Sequence, residues 1–179
     1  GGAARRRPRR LEPGTPPGAR DHQKMFGIED CLAFCGGIDR TLGRWDTRAH
    51  GDGDLGRINP GGDRYMPWHD ATTAITGPAA RALGELCRQR WHRAGGAPIS
   101  VPEVDHDCWP KLLSADFADS RIAIARTQPE LNGEESVQEI EALYLDLIAS
   151  ARRFVYAESQ YFASRKIAEA IARRLAEPE

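Results

Sequence analysis

The 179 residues predict an α/β protein in which a mixed sheet is flanked by helices. Short apolar runs of strand length alternate along the chain with longer segments of helical periodicity, and this alternation is typical of the α/β class. The composition, 40% hydrophobic and 28% charged, is that of a globular chain with its own core. No stretch approaches the roughly 18 uninterrupted apolar residues that a helical membrane span requires, so we expect no transmembrane segment.

The first elements follow an irregular lead-in, residues 1–20, that is rich in Arg, Pro and Gly. The apolar runs Met25–Ile28 and Cys31–Cys35 predict two strands joined by a tight turn at Glu29-Asp30. Gly36-Gly37 comes directly after them and marks a place where the backbone bends or lets another group approach closely.

Residues 46–64 are rich in Asp and Gly and predict a solvated loop. A calcium-binding loop is excluded because, with Asp52 first and Asp54 third, the fifth, sixth and twelfth positions do not fit. They hold Gly56, Arg57 and Asp63.

A strand at Ala71–Thr76 leads into a helix that Gly77-Pro78 opens and Gly95-Gly96 ends. Apolar residues at helical spacing support that helix, namely Leu83, Leu86, Cys87 and Trp91. Alternation over Arg121–Arg126 predicts another strand.

The last third predicts a helix, a strand and a second helix. The apolar stripe of the first helix starts after Ser136 and includes Val137, Ile140, Tyr144, Leu147, Ile148 and Ala151. Phe154–Ala157 is predicted as a strand, and Ser164 as the N-cap of the last helix.

The four cysteines, Cys31, Cys35, Cys87 and Cys108, form no C-x-x-C pair and no zinc-binding spacing. We expect buried free thiols, and the sequence leaves a disulfide between distant cysteines open.

Charge is unevenly distributed. Five Arg and no acid lie in residues 1–10, so the rest of the chain carries a net charge of −6 against −1 for the whole. A basic arm of this kind suits phosphate backbones or anionic lipid, but the acidic body argues against a nucleic-acid partner.

His22-Gln23-Lys24 is the segment with the strongest chemical signal. Side chains two apart on a strand point to the same face, which puts an imidazole beside a fixed positive charge. Such a pair suits a phosphoryl centre, where Lys stabilises the oxygens and His acts as nucleophile or acid.

The wider pattern resembles the phospholipase D superfamily motif. That motif is His-x-Lys, four residues, an acid, and a Gly-Gly or Gly-Ser pair about six residues on; here the acid position holds Glu29 and the pair is Gly36-Gly37. Later segments resemble, in the same order, those of the phosphatidylcholine-type enzymes: Gly36–Thr47, Met66–Asp70, Gly77–Trp91, and Ser136–Gln138 followed by Phe154–Phe162.

Two departures from the family pattern stand out. The motif acid is normally Asp, whereas Glu29 occupies its position here and Asp30 follows it. The family site also uses two His-x-Lys motifs, one from each half, and these 179 residues contain one. We therefore expect a first half at 21–130, the beginning of a second at 131–179, and no activity from this chain alone, because the second catalytic half is missing.

The resemblance implies hydrolysis or transphosphatidylation of phospholipids at a membrane surface, without metal or cofactor. It assigns His22 as the nucleophile that forms a phosphohistidine and Lys24 as the phosphoryl-binding cation, with Asp46 as the carboxylate that orients an imidazole. Candidate substrate-binding residues are Gly36, Gly37, Trp68, His69, Glu158 and Gln160.

Two alternatives stay open. A lipid-phosphate-binding protein without catalysis is consistent with Glu29 and the single motif. A superfamily nuclease built by pairing single-motif chains is the other, and the −6 body argues against it.

Overall fold

The predicted hairpin forms in the computed structural model, which describes residues 22–131 and 133–178. Strand β1 (Met25–Ile28) pairs antiparallel with β2 (Leu32–Gly36). Glu29 and Asp30 both adopt positive φ, 51° and 56°, and the N–H of Cys31 donates to the carbonyl of Ile28 at 3.1 Å. Two consecutive positive φ angles are typical of the tight turn whose twist matches that of the flanking strands. The predicted lead-in, residues 1–20, lies outside the described residues.

Strand β3 (Thr72–Thr76) pairs with the other side of β2, so the order in the sheet is β1-β2-β3. Both pairings are antiparallel, as is that of the second, two-stranded sheet. The predicted mixed sheet is therefore wrong for the described residues. The chain returns from β2 to β3 through a long loop, residues 37–71, instead of the crossover helix that a parallel pair requires.

Helix α1 (Pro78–Arg93) begins and ends where the sequence predicts. Pro78 stands in its first turn after Gly77, whose φ of 73° suits glycine. The helix packs on β1 and β2, where Gly84 allows a close approach to Gly27. The buried apolar residues of the first unit are Leu32, Ala33, Ala80 and Leu83, and they form its core.

The described residues divide into two compact units, 22–122 and 123–178. The second contains β4 (Thr127–Gln128), β5 (Val137–Gln138), α2 (Glu139–Ser150) and α3 (Arg165–Leu175). Ser164 caps α3 as predicted, because its hydroxyl accepts from the N–H of Ile167. Ile148 of α2 and Ala170 of α3 are buried in this unit.

Two predicted strands are absent. Arg121–Arg126 and Phe154–Ala157 are irregular, and Phe154 is 81% exposed. A strand needs a partner for its main-chain groups, and neither segment pairs with any described strand. The helix expected from Ser136 begins at Glu139, because Val137–Gln138 forms β5 instead.

The expectation of buried free thiols is wrong for three of the four cysteines. Cys31, just after the hairpin turn, forms a disulfide with Cys108 across a separation of 77 residues. Cys35 is exposed, and Cys87 is half-buried without a disulfide. Burial is the main cause that raises the pKa of the Cys87 thiol, and the nearby Asp30 carboxylate adds to it.

Among the described residues, no helix combines the length and the apolar character needed to cross a membrane.

Candidate functional site

Strand register gathers four of the predicted site residues, His22, Lys24, Gly36 and Gly37, at one end of the sheet of the first unit. Gly36 pairs with Thr72 of β3, and its N–H donates to the carbonyl of Lys24 at 3.3 Å. We call this end, formed by residues 22–24, 36–37 and 70–72, the sheet end. His22, Lys24 and the two glycines therefore lie near one another although up to 15 residues separate them in sequence.

Lys24 is the better-ordered member of the His-x-Lys pair. Its side chain is 14% exposed, and its ammonium lies 3.3 Å from Asp39 Oδ1 and donates to the main-chain carbonyl of His22 at 3.4 Å. His22 is exposed, and its imidazole makes no hydrogen bond or ion pair with the described residues. The ammonium is therefore held by Asp39 and by the main chain of His22, while the His22 side chain is open to solvent.

The main chain itself requires a glycine at position 36, whereas Gly37 faces the end of a side chain. A Cβ on Gly36 would lie 2.4 Å from the carbonyl oxygen of Ala71, and one on Gly37 would lie 2.2 Å from Asp70 Oδ1. The N–H of Gly37 also donates to the Ala71 carbonyl at 2.9 Å. The group that approaches these glycines closely is thus the segment that leads into β3.

An open groove of about 420 Å³ lies beside Lys24. We call this cavity the groove; its lining residues are Gln23, Lys24, Met25, Phe26, Phe34, Ile38, Arg40 and Thr72. The guanidinium of Arg40 stacks over the Phe26 ring at 3.6 Å from its centroid. The groove therefore joins an apolar lining to two cationic side chains, which suits an amphiphile with an anionic group.

Asp46 lies in the 37–71 loop and is surrounded by donors. Its Oδ1 accepts from Arg57 Nη1 and from the N–H of Thr47, both at 2.7 Å. Its Oδ2 accepts from the N–H of Trp68 at 2.7 Å and from His50 Nδ1 at 3.1 Å. The carboxylate side chain is 4% exposed and that of Arg57 is 1% exposed.

The donors around Asp46 decide its charge state. Burial by itself would raise the pKa of Asp46, but the hydrogen bonds outweigh it, with that from the Trp68 N–H contributing most, ahead of His50, Arg57 and Thr47. The pKa of Asp46 is consequently held well below its ordinary range, and the group is a carboxylate at any physiological pH.

Two histidines continue this network toward the surface. An ionised carboxylate only accepts, so His50 donates to it from Nδ1, and its Nε2 lies on the other side of the ring. His69 Nδ1 lies 3.4 Å from that Nε2, and the two rings meet edge to face with centroids 5.2 Å apart. The imidazole that Asp46 contacts is therefore that of His50.

Trp68 is held between this network and a cation. Its N–H is one of the donors to Asp46, and the guanidinium of Arg44 stacks 3.9 Å from the centroid of its ring. Its indole Nε1 is buried without a hydrogen-bond partner among the described residues. Trp68 does not line the groove.

The two acids of the hairpin turn have different surroundings. Asp30 accepts from Arg88 Nη1 of α1 at 2.7 Å, and a Cβ on Gly84 would lie 2.0 Å from its Oδ1. Glu29 is exposed, 3.9 Å from His106 Nε2. The hydrogen bond from Asp30 is the main cause that raises the pKa of Arg88. Asp30, not Glu29, thus ties the turn to the helix.

Glu158 and Gln160 lie in the second unit, in the irregular segment between α2 and α3, and both are exposed. The hydroxyl of Tyr156 donates to Glu158, and this bond is the main cause that raises the pKa of Tyr156.

No group of three or more His, Cys, Asp or Glu side chains within 22–131 and 133–178 is arranged to hold a metal ion. Four residues that the sequence interpretation did not assign do take part in the site: Asp39, Arg40, His50 and Arg57. Asp46 and His50 stand four apart, which was the one local signal available; the other contacts depend on how the loop folds.

Comparison of the sequence with known proteins relates the chain to a family. Phospholipase D alpha 2 from Arabidopsis thaliana is 30% identical over 174 residues, covering 73% of this chain and 21% of the relative. Phospholipase D alpha 1 from Arabidopsis thaliana is 29% identical over 173 residues, and that from Vigna unguiculata 26% over 195 residues. No family model matches the chain.

The resemblance drawn from the motifs is thereby confirmed, and the chain is related to the phospholipase D family. It spans about a fifth of the length of the curated relatives that it matches.

Proposed function

We propose that residues 21–130 form the first half, and residues 131–179 the beginning of the second half, of a phospholipase D-type enzyme with a phospholipase D-like fold, which hydrolyses or transphosphatidylates phospholipids. The observation that carries the proposal is the position of Lys24, on the wall of an apolar groove and two residues from the exposed His22. A phosphodiester bound there would meet the ammonium, while its acyl part would lie along Met25, Phe26 and Phe34. The relationship to proteins named phospholipase D supports the same substrate class.

In the proposed reaction His22 attacks phosphorus, so that an N–P bond forms and the P–O bond to the head-group alcohol breaks. The leaving alkoxide takes a proton from a second histidine, and water or an added alcohol then displaces His22. Lys24 stabilises the negative oxygens of the transition state. Because the 179 residues contain one His-x-Lys motif, we assign the second histidine to a motif outside them.

In this proposal, Asp30 has the structural role of the motif acid. Its ion pair with Arg88 and its contact with Gly84 fix the hairpin on α1, and the hairpin in turn carries Lys24. Glu29 is exposed at the position where the family has Asp. The Asp46–His50–His69 chain lies in the loop that returns to the sheet end, so we assign Asp46 to holding that loop and the His50 ring.

The test uses the parent polypeptide that contains these residues, with phosphatidylcholine and ethanol as substrates. We expect phosphatidic acid and phosphatidylethanol, and a loss of about a thousandfold or more in turnover for His22→Ala, because the nucleophile is removed. His92→Ala is the matched control, since His92 is exposed near the end of α1, and it should retain wild-type turnover.

Each other outcome decides a part of the proposal. Activity that survives His22→Ala would remove His22 as the nucleophile, and a parent that binds lipid without turnover would be a lipid-phosphate-binding protein. Phosphatidic acid without phosphatidylethanol would argue against a covalent intermediate. Turnover by the 179-residue chain alone would contradict the need for a second motif.

A further inference from the structure

The charges around the groove do not cancel. Lys24 is paired with Asp39 at 3.3 Å, so its ammonium is compensated within the site. Arg40 also lines the groove, and its guanidinium makes no ion pair with the residues that the structure describes; its contact is the face of Phe26. The three side chains together carry one uncompensated positive charge, and that charge belongs to Arg40.

Arg40 is also held in place. When a guanidinium stacks on an aromatic ring, its N–H groups point outward, parallel to the ring. They therefore remain available to oxygen acceptors. Phe26 in turn packs against its cross-strand partner Phe34, with ring centroids 6.4 Å apart. The cation therefore sits on the rigid sheet, at the border between the apolar lining and solvent.

From this arrangement we propose that Arg40 makes the groove selective for phospholipids whose head group carries a net negative charge over zwitterionic ones. This inference rests on the proposed function, which supplies the phospholipid. The phosphate common to all phospholipids would bind at Lys24, and the second acidic or hydrogen-bonding group of the head would lie toward Arg40. A zwitterionic head would bring its ammonium toward the same guanidinium, which is unfavourable.

The experiment compares two soluble short-chain lipids on the full 179-residue chain: dihexanoyl phosphatidylglycerol, net charge about −1, and dihexanoyl phosphatidylcholine, net charge about zero. Dissociation constants are measured by NMR titration at low salt. We expect phosphatidylglycerol to bind about threefold to fivefold more tightly, the range of an exposed ion pair, and the difference to shrink as salt is added.

Three variants isolate the cause. Arg40→Gln should abolish the preference while leaving the affinity for phosphatidylcholine unchanged or higher, and Arg40→Lys should keep most of it. Arg81→Gln is the matched control, because Arg81 is an exposed arginine of α1 and does not line the groove. It should leave the preference unchanged.

The outcomes separate this inference from the function beneath it. Equal affinity for both lipids, with shifts at groove residues, would overturn the role of Arg40 and leave phospholipid binding intact. A preference that persists in Arg40→Gln, or that Arg81→Gln also removes, would overturn it as well. Inorganic phosphate that binds as tightly as phosphatidylglycerol would show that the groove recognises the anion and not the lipid, and failure of both lipids to bind would overturn both proposals.

Discussion

Two long irregular segments of the first unit are fixed to the sheet by different means. The loop of residues 37–71 is organised about the buried Asp46–Arg57 pair. Residues 97–122 contain no regular element, and Leu112 and Phe117 are exposed in them. That second segment is joined to the hairpin by the Cys31–Cys108 disulfide.

The difference lies in where each segment's polar groups find partners. Beyond Asp46, the guanidinium of Arg57 donates to the carbonyls of Gly51 and Asp52, so one buried side chain satisfies main-chain groups along the loop. In residues 97–122 the side-chain bonds are short-range, as between the Trp109 indole and the Leu113 carbonyl at 2.6 Å. The buried Asp46–Arg57 pair thus holds the loop of residues 37–71 in the absence of regular structure. The Cys31–Cys108 disulfide attaches residues 97–122 without a buried pair of this kind.

The largest expected effect is the loss of the loop's buried cation. Arg57→Ala leaves the Asp46 carboxylate surrounded by fewer donors and the Gly51 and Asp52 carbonyls without theirs, so we expect the melting temperature to fall by about 10 °C. Calorimetry or circular dichroism measures the change. Arg64→Ala, at an exposed arginine of the same loop, is the control and should melt within about 1 °C of wild type. Equal effects of the two substitutions would contradict the organising role of the pair.

Removal of the Cys31–Cys108 disulfide should lower the melting temperature slightly less than Arg57→Ala does. Cys108→Ser opens a connection between residues 77 apart, and we expect the melting temperature to fall by about 8 °C, mainly through the freer unfolded chain. Dithiothreitol should lower wild type to the level of the variant and leave the variant unchanged. Cys35→Ser, at a cysteine outside the disulfide, serves as control. A wild type that is insensitive to reduction would show that the link does not stabilise the fold.

A smaller effect is expected where the loop rejoins the sheet. Gly36→Ala introduces a Cβ 2.4 Å from main-chain atoms of residues 71 and 72, so the strands must separate and the melting temperature should fall by about 5 °C. Gly53→Ala places its Cβ in open space in the same loop and should change the melting temperature by no more than about 2 °C. If the two variants melt together, the close approach at the sheet end is not what requires Gly36.

The smallest expected effect is a dependence of stability on pH, which the buried Asp46 carboxylate should produce and the Cys31–Cys108 disulfide should not. The pKa of Asp46 is lower in the folded chain than its ordinary value, so its stabilising contribution is complete above that ordinary value, near pH 4, and is lost as the pH falls below it. We expect wild type to lose more stability between about pH 5 and pH 2 than Asp46→Asn does. The disulfide does not titrate, so the same pH slope should persist in Cys108→Ser. Identical slopes for wild type and Asp46→Asn would argue that other carboxylates carry the acid sensitivity.

Local signals predicted the elements that depend on local chemistry. The tight turn at Glu29-Asp30, the Pro78 helix start and the Ser164 cap each follow from residues that lie within a few positions of them. The segments 121–126 and 154–157 have strand-like patterns, but a strand also needs a neighbour, and the pattern carries no information on that.

The candidate site divides in the same way. The His22-x-Lys24 motif and the glycines are readable from spacing, and the family relationship agrees with them. Arg57, His50 and Arg40 were missed because their partners lie 11, 4 and 14 residues away in segments without periodicity. The sequence of such a loop does not indicate which of its arginines becomes buried.

The sequence by itself determined the hairpin, α1, the cap of α3 and the family relationship. The tertiary structure decided the antiparallel pairing of the sheets and the Cys31–Cys108 disulfide. It decided that Asp30, and not Glu29, pairs with Arg88 and ties the hairpin turn to α1. It also decided the burial of Asp46 with Arg57. Turns and caps are fixed by dihedral preferences and short-range hydrogen bonds, which act within one segment. Burial, pairing and charge compensation depend on which distant segments meet, and only the folded chain brings those together.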